Sequence, residues 1–273
     1  RTRYRLRYSG KGGTTFVLII LQGVVYRRAG LKIKTIWFAK ERLFPEEQGC
    51  DILHYRQSVN NFAQSSRHFN TLITDLFLEE NQLFQMLEKD CRYEVRRAQR
   101  DNIHTYAYDS ELLKEKQNEL DMFIEAYNEF AATKSLGRCN TAALRSYIEN
   151  EMFVLTIAKQ GECPLVYHAY ISTPERVRLW NSSSLFRNET AQKAKANIGR
   201  ANRLLHWQDL LSFKERGMRE YDWGGCSDAE ETKNITAFKR QFGGVPETSY
   251  HISVPCSLKG KAALLTLRLL GKM

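Results

Sequence analysis

The sequence predicts an α/β protein built around a mixed sheet, and three observations carry that expectation. Helical periodicity occupies residues 79–98 and 110–133, three strand-like runs follow in quick succession over 153–181, and the rest alternates helix, strand, helix, strand as far as Val254. Elements in this order pack as layers around one core. A chain of 273 residues, 42% hydrophobic and 26% charged, is long and apolar enough to bury such a core.

Taken in chain order, apolar strand candidates come first, at 16–26, 33–38 and 71–76, with a loop-rich stretch near Pro45 and Gly49. The run at 16–25 follows a basic start, as a signal peptide would. Gln22 and Gly23 interrupt it, Tyr26-Arg27-Arg28 follows it where a small-residue cleavage site would stand, and it is too short to span a bilayer. It is read as a buried strand. The chain opens on Arg1, so an upstream portion is expected. Leu83, Leu87, Cys91, Val95 and Ala98 recur every three or four positions and predict one helix, with Glu79-Glu80 at its start and arginines at its end matching the helix dipole. A second helix is predicted over 110–133 and a third over 141–150.

Strands at 153–158, 165–172 and 176–181 are joined by Gln160-Gly161-Glu162 and Thr173-Pro174-Glu175, short polar turns that make an antiparallel meander. After a polar stretch at 186–197, Ile198, Ala201, Leu204, Leu205 and Leu211 mark a helix that stops at Gly217. A strand at 219–223, a Gly224-Gly225 break, a helix over 232–241, Gly243-Gly244 and a strand at 248–254 complete the order.

The net charge of +10 is local: residues 1–44 hold 11 Lys/Arg and only Glu41, and the other 229 residues balance at 30 basic against 30 acidic. A basic segment without the aromatic and glycine pattern of an RNA-binding sheet is read as solvated, and DNA is not expected as a partner. The six cysteines stand apart with neither zinc-ligand nor disulfide-domain spacing, so reduced thiols, a cytoplasmic location and no metal are expected. Gly10-Lys11-Gly12-Gly13-Thr14-Thr15 lacks the spacing of a phosphate-binding loop.

Two segments have the residue types for chemistry. Asp222 stands where a strand ends against two glycines, a place where a carboxylate can face a cleft, and Lys239 follows on the next helix. Arg92, Arg96 and Arg100 align three cations on one helix face, where they are either solvated or meet an anion. His168, between Tyr167 and Tyr170, is expected to be packed or exposed more than to act as a base.

Asn202-Arg203-Leu204-Leu205-His206-Trp207, then Tyr221-Asp222-Trp223-Gly224-Gly225, then Phe238-Lys239 with Phe242-Gly243-Gly244 occur in this order, below a helix with the pattern Arg92-x-x-x-Arg96-x-Ala98. Together these resemble the Fem-type aminoacyltransferases of peptidoglycan synthesis and related domains of the GNAT superfamily, over residues from about 70 to 255. The resemblance implies a GNAT-like acyltransferase fold over 76–273, preceded by an incomplete GNAT-like half over 1–75. It implies acyl or aminoacyl transfer to an amine of a cell-wall or surface-polysaccharide precursor, no permanently bound cofactor, and aminoacyl-tRNA or acyl-CoA as co-substrate. It places Phe238, Lys239 and Asp222 at the reacting centre, with Arg92, Arg96, Tyr221 and Trp223 toward the acceptor. The family's donor loop aligns with Ala196-Asn197-Ile198-Gly199-Arg200-Ala201, so Gly199, Arg200, Ala201 and Asn202 are the expected donor contacts; the missing leading Arg or Gln favours a charged tRNA over coenzyme A. Two other readings stay open, a coenzyme A-dependent N-acyltransferase and a catalytically silent binding domain.

Overall fold

The computed structural model describes residues 3–10, 13–20, 23–43, 49–63, 66–133, 136–185, 191–230 and 232–271. Lys11-Gly12, most of the loop near Pro45, and residues 186–190 of the polar stretch lie outside them. The chain divides into two compact units, residues 1–69 with 248–273 (unit 1) and residues 70–247 (unit 2).

In unit 1, β1 (Arg3–Gly10) pairs antiparallel with β2 (Gly13–Ile20), and β3 (Gly23–Arg28) is a separate strand, so the single strand expected over 16–26 is divided between β2 and β3. β3 pairs antiparallel with β4 (Leu31–Trp37), which runs parallel to β5 (Ile52–Ser58). β5 has no counterpart among the expected strands, because His54, Arg56 and Gln57 break the apolar signal. β6 (Ser66–Asp75) carries the chain into unit 2.

There the helix expected over 79–98 is two helices, α1 (Glu80–Met86) and α2 (Lys89–Arg100), parted where Leu87 and Glu88 turn extended, with ψ of 140° and 153°. The apolar period runs straight through the break because Leu83, Leu87, Cys91, Val95 and Ala98 all bury in the same cluster. β7 (Ile103–Asp109) follows, then α3 (Ser110–Glu115) and α4 (Gln117–Thr133), again one expected helix divided, here at Lys116. Asp109 caps α3, its side chain accepting from Leu112 N at 2.9 Å.

α5 (Thr141–Glu149) leads into β8 (Phe153–Gln160), β9 (Cys163–Ser172) and β10 (Arg176–Ser184), the expected antiparallel meander, with β7 paired on the far side of β8. The 24-residue α6 (Gln192–Glu215) lays Ile198, Ala201, Leu204 and Leu205 into the cluster that also holds Cys91, Val95 and Ala98 of α2. Each fully buried leucine there contributes roughly 1.5–3 kcal/mol. β11 (Glu220–Gly225) runs parallel to β10 and antiparallel to β6, and α7 (Lys233–Arg240) packs behind it. Unit 2 is thus a mixed α/β unit, as expected.

The chain returns to unit 1 along β12 (Val245–Pro255), antiparallel to β5, and ends in α8 (Leu258–Leu269). Ser257 caps α8, accepting from Gly260 N at 3.1 Å and donating to Asp51 Oδ1 at 2.6 Å. The division expected after residue 75 falls instead between residues 69 and 70, inside β6, and residues 248–273 group with 1–69.

Candidate active site

The parallel strands β10 and β11 pair only over Arg176–Arg178 and Glu220–Asp222; β10 then continues to Ser184 without a partner from β11. Where they part, Gly224 has φ +72°, and a Cβ on it would lie 2.6 Å from the carbonyl oxygen of Leu179. Glycine is required there twice over, by conformation and by space.

Lys239 reaches this point from α7. It is 8% exposed, and its Nζ donates to the carbonyl oxygen of Gly225 at 2.6 Å. Burial, with Arg178 close by and only partly offset by Cys226 and Asp222, lowers its pKa to about 8. It is therefore neither a solvated helix lysine nor one half of an ion pair. A largely desolvated ammonium that still carries its charge at neutral pH can stabilise an oxyanion or an anionic leaving group. Phe238 packs beside it against His206 and Phe242, with the Arg203 guanidinium 5.2 Å above its ring.

Asp222 does not face a cleft. It is fully buried, accepts from Arg176 Nη2 at 2.6 Å and Nε at 3.1 Å, and accepts from Gly224 N and the Thr71 hydroxyl on its other oxygen. Burial alone would raise its pKa, but Arg176, Arg178 and these hydrogen bonds hold it below the usual carboxylate range. With its lone pairs occupied, Asp222 is a buried anion that fixes the turn beneath Lys239. This corrects its expected place at the reacting centre.

Tyr221 and Trp223 are also fully buried, so contact with an acceptor is corrected to a core role. Trp223 donates from Nε1 to Thr74 Oγ1 at 3.0 Å and packs on Tyr221 and Phe242. Tyr221 belongs to a polar network that the sequence did not reveal. Asp209 Oδ2 accepts from Tyr170 Oη at 2.6 Å, from His168 Nδ1 at 2.8 Å and from Thr156 Oγ1 at 3.1 Å. The one Tyr170 proton goes to the carboxylate, so the 2.7 Å contact between the Tyr170 and Tyr221 hydroxyls has Tyr221 as donor. Tyr221 must then accept from His206 Nδ1 at 3.0 Å. The chain His206 to Tyr221 to Tyr170 to Asp209 runs one way and sets the His206 tautomer, leaving Nε2 as an acceptor. Burial, then His168, Lys239 and Arg203, lower the His206 pKa well below its usual value, and burial with Asp209 raises both tyrosines.

His168, His206 and Asp209 lie close enough to be considered together as metal ligands. Three protein donors converge on Asp209 Oδ2, and both His168 nitrogens are engaged, Nε2 by Asn202 Oδ1 at 2.8 Å. That donor set satisfies the groups as a hydrogen-bond network.

The expected donor contacts fall inside α6, the first of them seven residues beyond Gln192, where backbone N–H groups bond four residues back. Gly199, Arg200, Ala201 and Asn202 therefore form no open amide cradle, which corrects that alignment. Their side chains are spoken for: Arg200 pairs with Asp101 at 3.0 Å, Ala201 is buried against α2, and Asn202 meets His168. Arg92 donates to the carbonyl oxygens of Leu87 and Gln85 at the end of α1, and Arg96 lies 5.0 Å over the Phe84 ring. No hydrogen bond or ion pair joins either arginine to Lys239. Of the expected residues, the structure brings Phe238 and Lys239 together, with Asp222 buried under them.

All six cysteines are free thiols, Cys50 and Cys91 buried and Cys163 exposed. Among the described residues no helix is long and apolar enough to cross a membrane.

Comparison of the sequence with protein-family models and with curated proteins finds no match. Comparison of the structure does. The fold is similar to that of FemX, with TM-score 0.57 and 11% identity over 96% of this chain and 90% of that one. It is similar to a C-terminal domain named as that of a lysylphosphatidylglycerol synthetase from Agrobacterium fabrum, with TM-score 0.55 and 13% identity over 98% and 90%. It is also similar to L-PGS from Bacillus licheniformis, with TM-score 0.51 and 14% identity over 92% and 90%. These likenesses establish a fold shared with FemX, the Agrobacterium fabrum domain and L-PGS.

Proposed function

We propose that this chain is a cytoplasmic acyltransferase that moves an aminoacyl or acyl group from an ester or thioester donor to an amine of a cell-wall or surface-polysaccharide precursor. The observation that carries the reading is Lys239, a buried cation delivered to the point where two parallel strands part, in a fold shared with FemX and L-PGS. In this reading the acceptor nitrogen attacks the donor carbonyl carbon, and the carbonyl electron pair moves onto oxygen, where the Lys239 ammonium stabilises it. The C–O or C–S bond then breaks, and the amine proton is lost as the leaving group gains one. No covalent enzyme intermediate and no permanently bound cofactor take part.

The interior position of Gly199 removes the sequence argument for choosing between donors. Aminoacyl-tRNA remains the donor implied by the family resemblance. A coenzyme A thioester is the second reading, with its pyrophosphate at the start of α6, where Ala191 provides no side-chain cap.

The test is transfer of a labelled aminoacyl group from charged tRNA, or of acetyl from acetyl-CoA, to an amine acceptor, with wild type and Lys239→Ala compared. Loss of one transition-state donor lowers kcat about 10²–10³-fold. The wild-type rate is expected to fall as pH rises through about 8, where the ammonium is lost. A Lys239→Ala enzyme that keeps most of its activity would sink the reading. The donor that raises the melting temperature identifies which co-substrate is used.

A further inference from the structure

Charge is divided between the units: unit 1 carries 17 Lys/Arg against four Asp/Glu, and unit 2 carries 24 against 27. Within unit 1 a cavity of about 1110 Å³ opens on the sheet face beside α8. Four arginines line it, Arg28 from β3, Arg56 from β5, Arg67 from β6 and Arg268 from α8, and among the described residues no carboxylate does. Asp51, just before β5, is committed elsewhere, accepting from Ser257 Oγ, the α8 cap, at 2.6 Å and from Lys32 N at 2.8 Å. Arg28, Arg67 and Arg268 form no ion pair with a described residue.

The polar side of the cavity is built. Alternation puts His54 and Arg56 on one face of β5, and His251 and Ser253 beside them on β12. His54 Nδ1 is 2.7 Å from Ser253 Oγ, and Arg56 donates to His251 Nδ1 at 3.4 Å. Burial first, then Arg56 and Arg28, lowers the His54 pKa to about 3, so this histidine adds no charge of its own. The other side is apolar, formed by Leu31 of β4 and by Ala263, Leu264 and Leu267 of α8. A cluster of arginines matches the bidentate geometry of a phosphate, and an adjoining apolar wall matches a hydrocarbon chain.

We propose that this cavity of unit 1 binds a phosphate-bearing amphiphile, its anionic group among Arg28, Arg56, Arg67 and Arg268 and its apolar part along Leu31, Leu264 and Leu267. The inference does not rest on the transferase reading, because it is carried by unit 1 alone and is tested with neither acyl donor nor acceptor present. Calorimetric titration of the full chain compares three probes: monomeric dihexanoylphosphatidylglycerol, dihexanoylphosphatidylcholine and inorganic phosphate. The phosphatidylglycerol is expected to bind at least tenfold tighter than either of the others. Binding is also expected to weaken as salt is raised. The exposed pair Arg67→Gln and Arg268→Gln is expected to weaken it at least tenfold with an unchanged melting temperature, and Leu267→Asp to weaken the lipid but not inorganic phosphate. Equal affinity for inorganic phosphate, equal affinity for the choline lipid, or full binding by the double arginine variant would each overturn the proposal.

Discussion

Replacing Lys239 by methionine separates what the residue does for folding from what it does for chemistry. In the folded chain its pKa falls from 10.5 to about 8, chiefly through burial. That difference corresponds to about 3 kcal/mol by which the fold disfavours the ammonium relative to the unfolded chain. Methionine keeps the length and removes the charge, but it also loses the charged hydrogen bond to the Gly225 carbonyl oxygen, worth roughly 1.5–3 kcal/mol. The net expectation at pH 7 is a variant as stable as wild type or up to ~1.5 kcal/mol more stable, with a transfer rate expected to be about 10²–10³-fold lower. The sign of the pH dependence follows from the lowered folded value. Between about pH 8 and 10.5 the unfolded wild type binds more protons than the folded one, so wild-type stability gains about 3 kcal/mol from this group as pH rises, and the methionine variant gains nothing from that position. Urea unfolding at pH 7, 8, 9 and 10 reads both curves. A gap between the two proteins that stays constant across this range, or a variant more than about 2 kcal/mol less stable at pH 7, would show that Lys239 is not a strained buried cation.

Asp222→Asn tests the corrected role of that carboxylate. It takes the buried carboxylate from Arg176, which keeps Glu247 at 2.7 Å and Glu220 at 3.6 Å, and is expected to cost roughly 1.5–3 kcal/mol in urea unfolding through the lost charged hydrogen bonds, whereas a cleft-facing base would fold normally. Gly224→Ala places a methyl group against the Leu179 carbonyl oxygen at positive φ, and a loss of roughly 1–3 kcal/mol is expected; a neutral effect would mean the strands part elsewhere. Tyr221→Phe breaks the hydroxyl chain and leaves His206 Nδ1 without its acceptor, so a cost of about 1–3 kcal/mol is expected, and an unchanged melting temperature would remove the assigned donor directions.

The meander, α5, the start of β11, and α7 were legible because each is a local pattern bounded by turn residues. The breaks at Leu87 and Lys116 were not, since the apolar face continues across each and periodicity reports the face, not the backbone. β7 carries no apolar run, because one side of it lies at the sheet edge and only Ile103 is buried. Phe238 and Lys239 were singled out through a resemblance in motif order, and the burial of Lys239 was not foreseen. The partners of Asp222 and the Asp209 network were invisible for a different reason. Arg176 stands 46 residues from Asp222, and Tyr170 stands 39 from Asp209, so only the fold brings these groups together. The donor-loop alignment failed because a glycine and an alanine at the right spacing are equally at home in a helix interior packed closely on α2.

The directed hydrogen-bond chain from His206 to Asp209 also constrains how this protein can change over time. Each member is usable only while its neighbours keep their roles as donor or acceptor, so a single replacement strands a buried polar atom within the chain, whereas replacing all four with apolar residues leaves only the other two donors to Asp209, His168 and Thr156, to be satisfied. Descendants of this chain should therefore keep Tyr170, His206, Asp209 and Tyr221 together or lose them together, and the four positions should vary as one character.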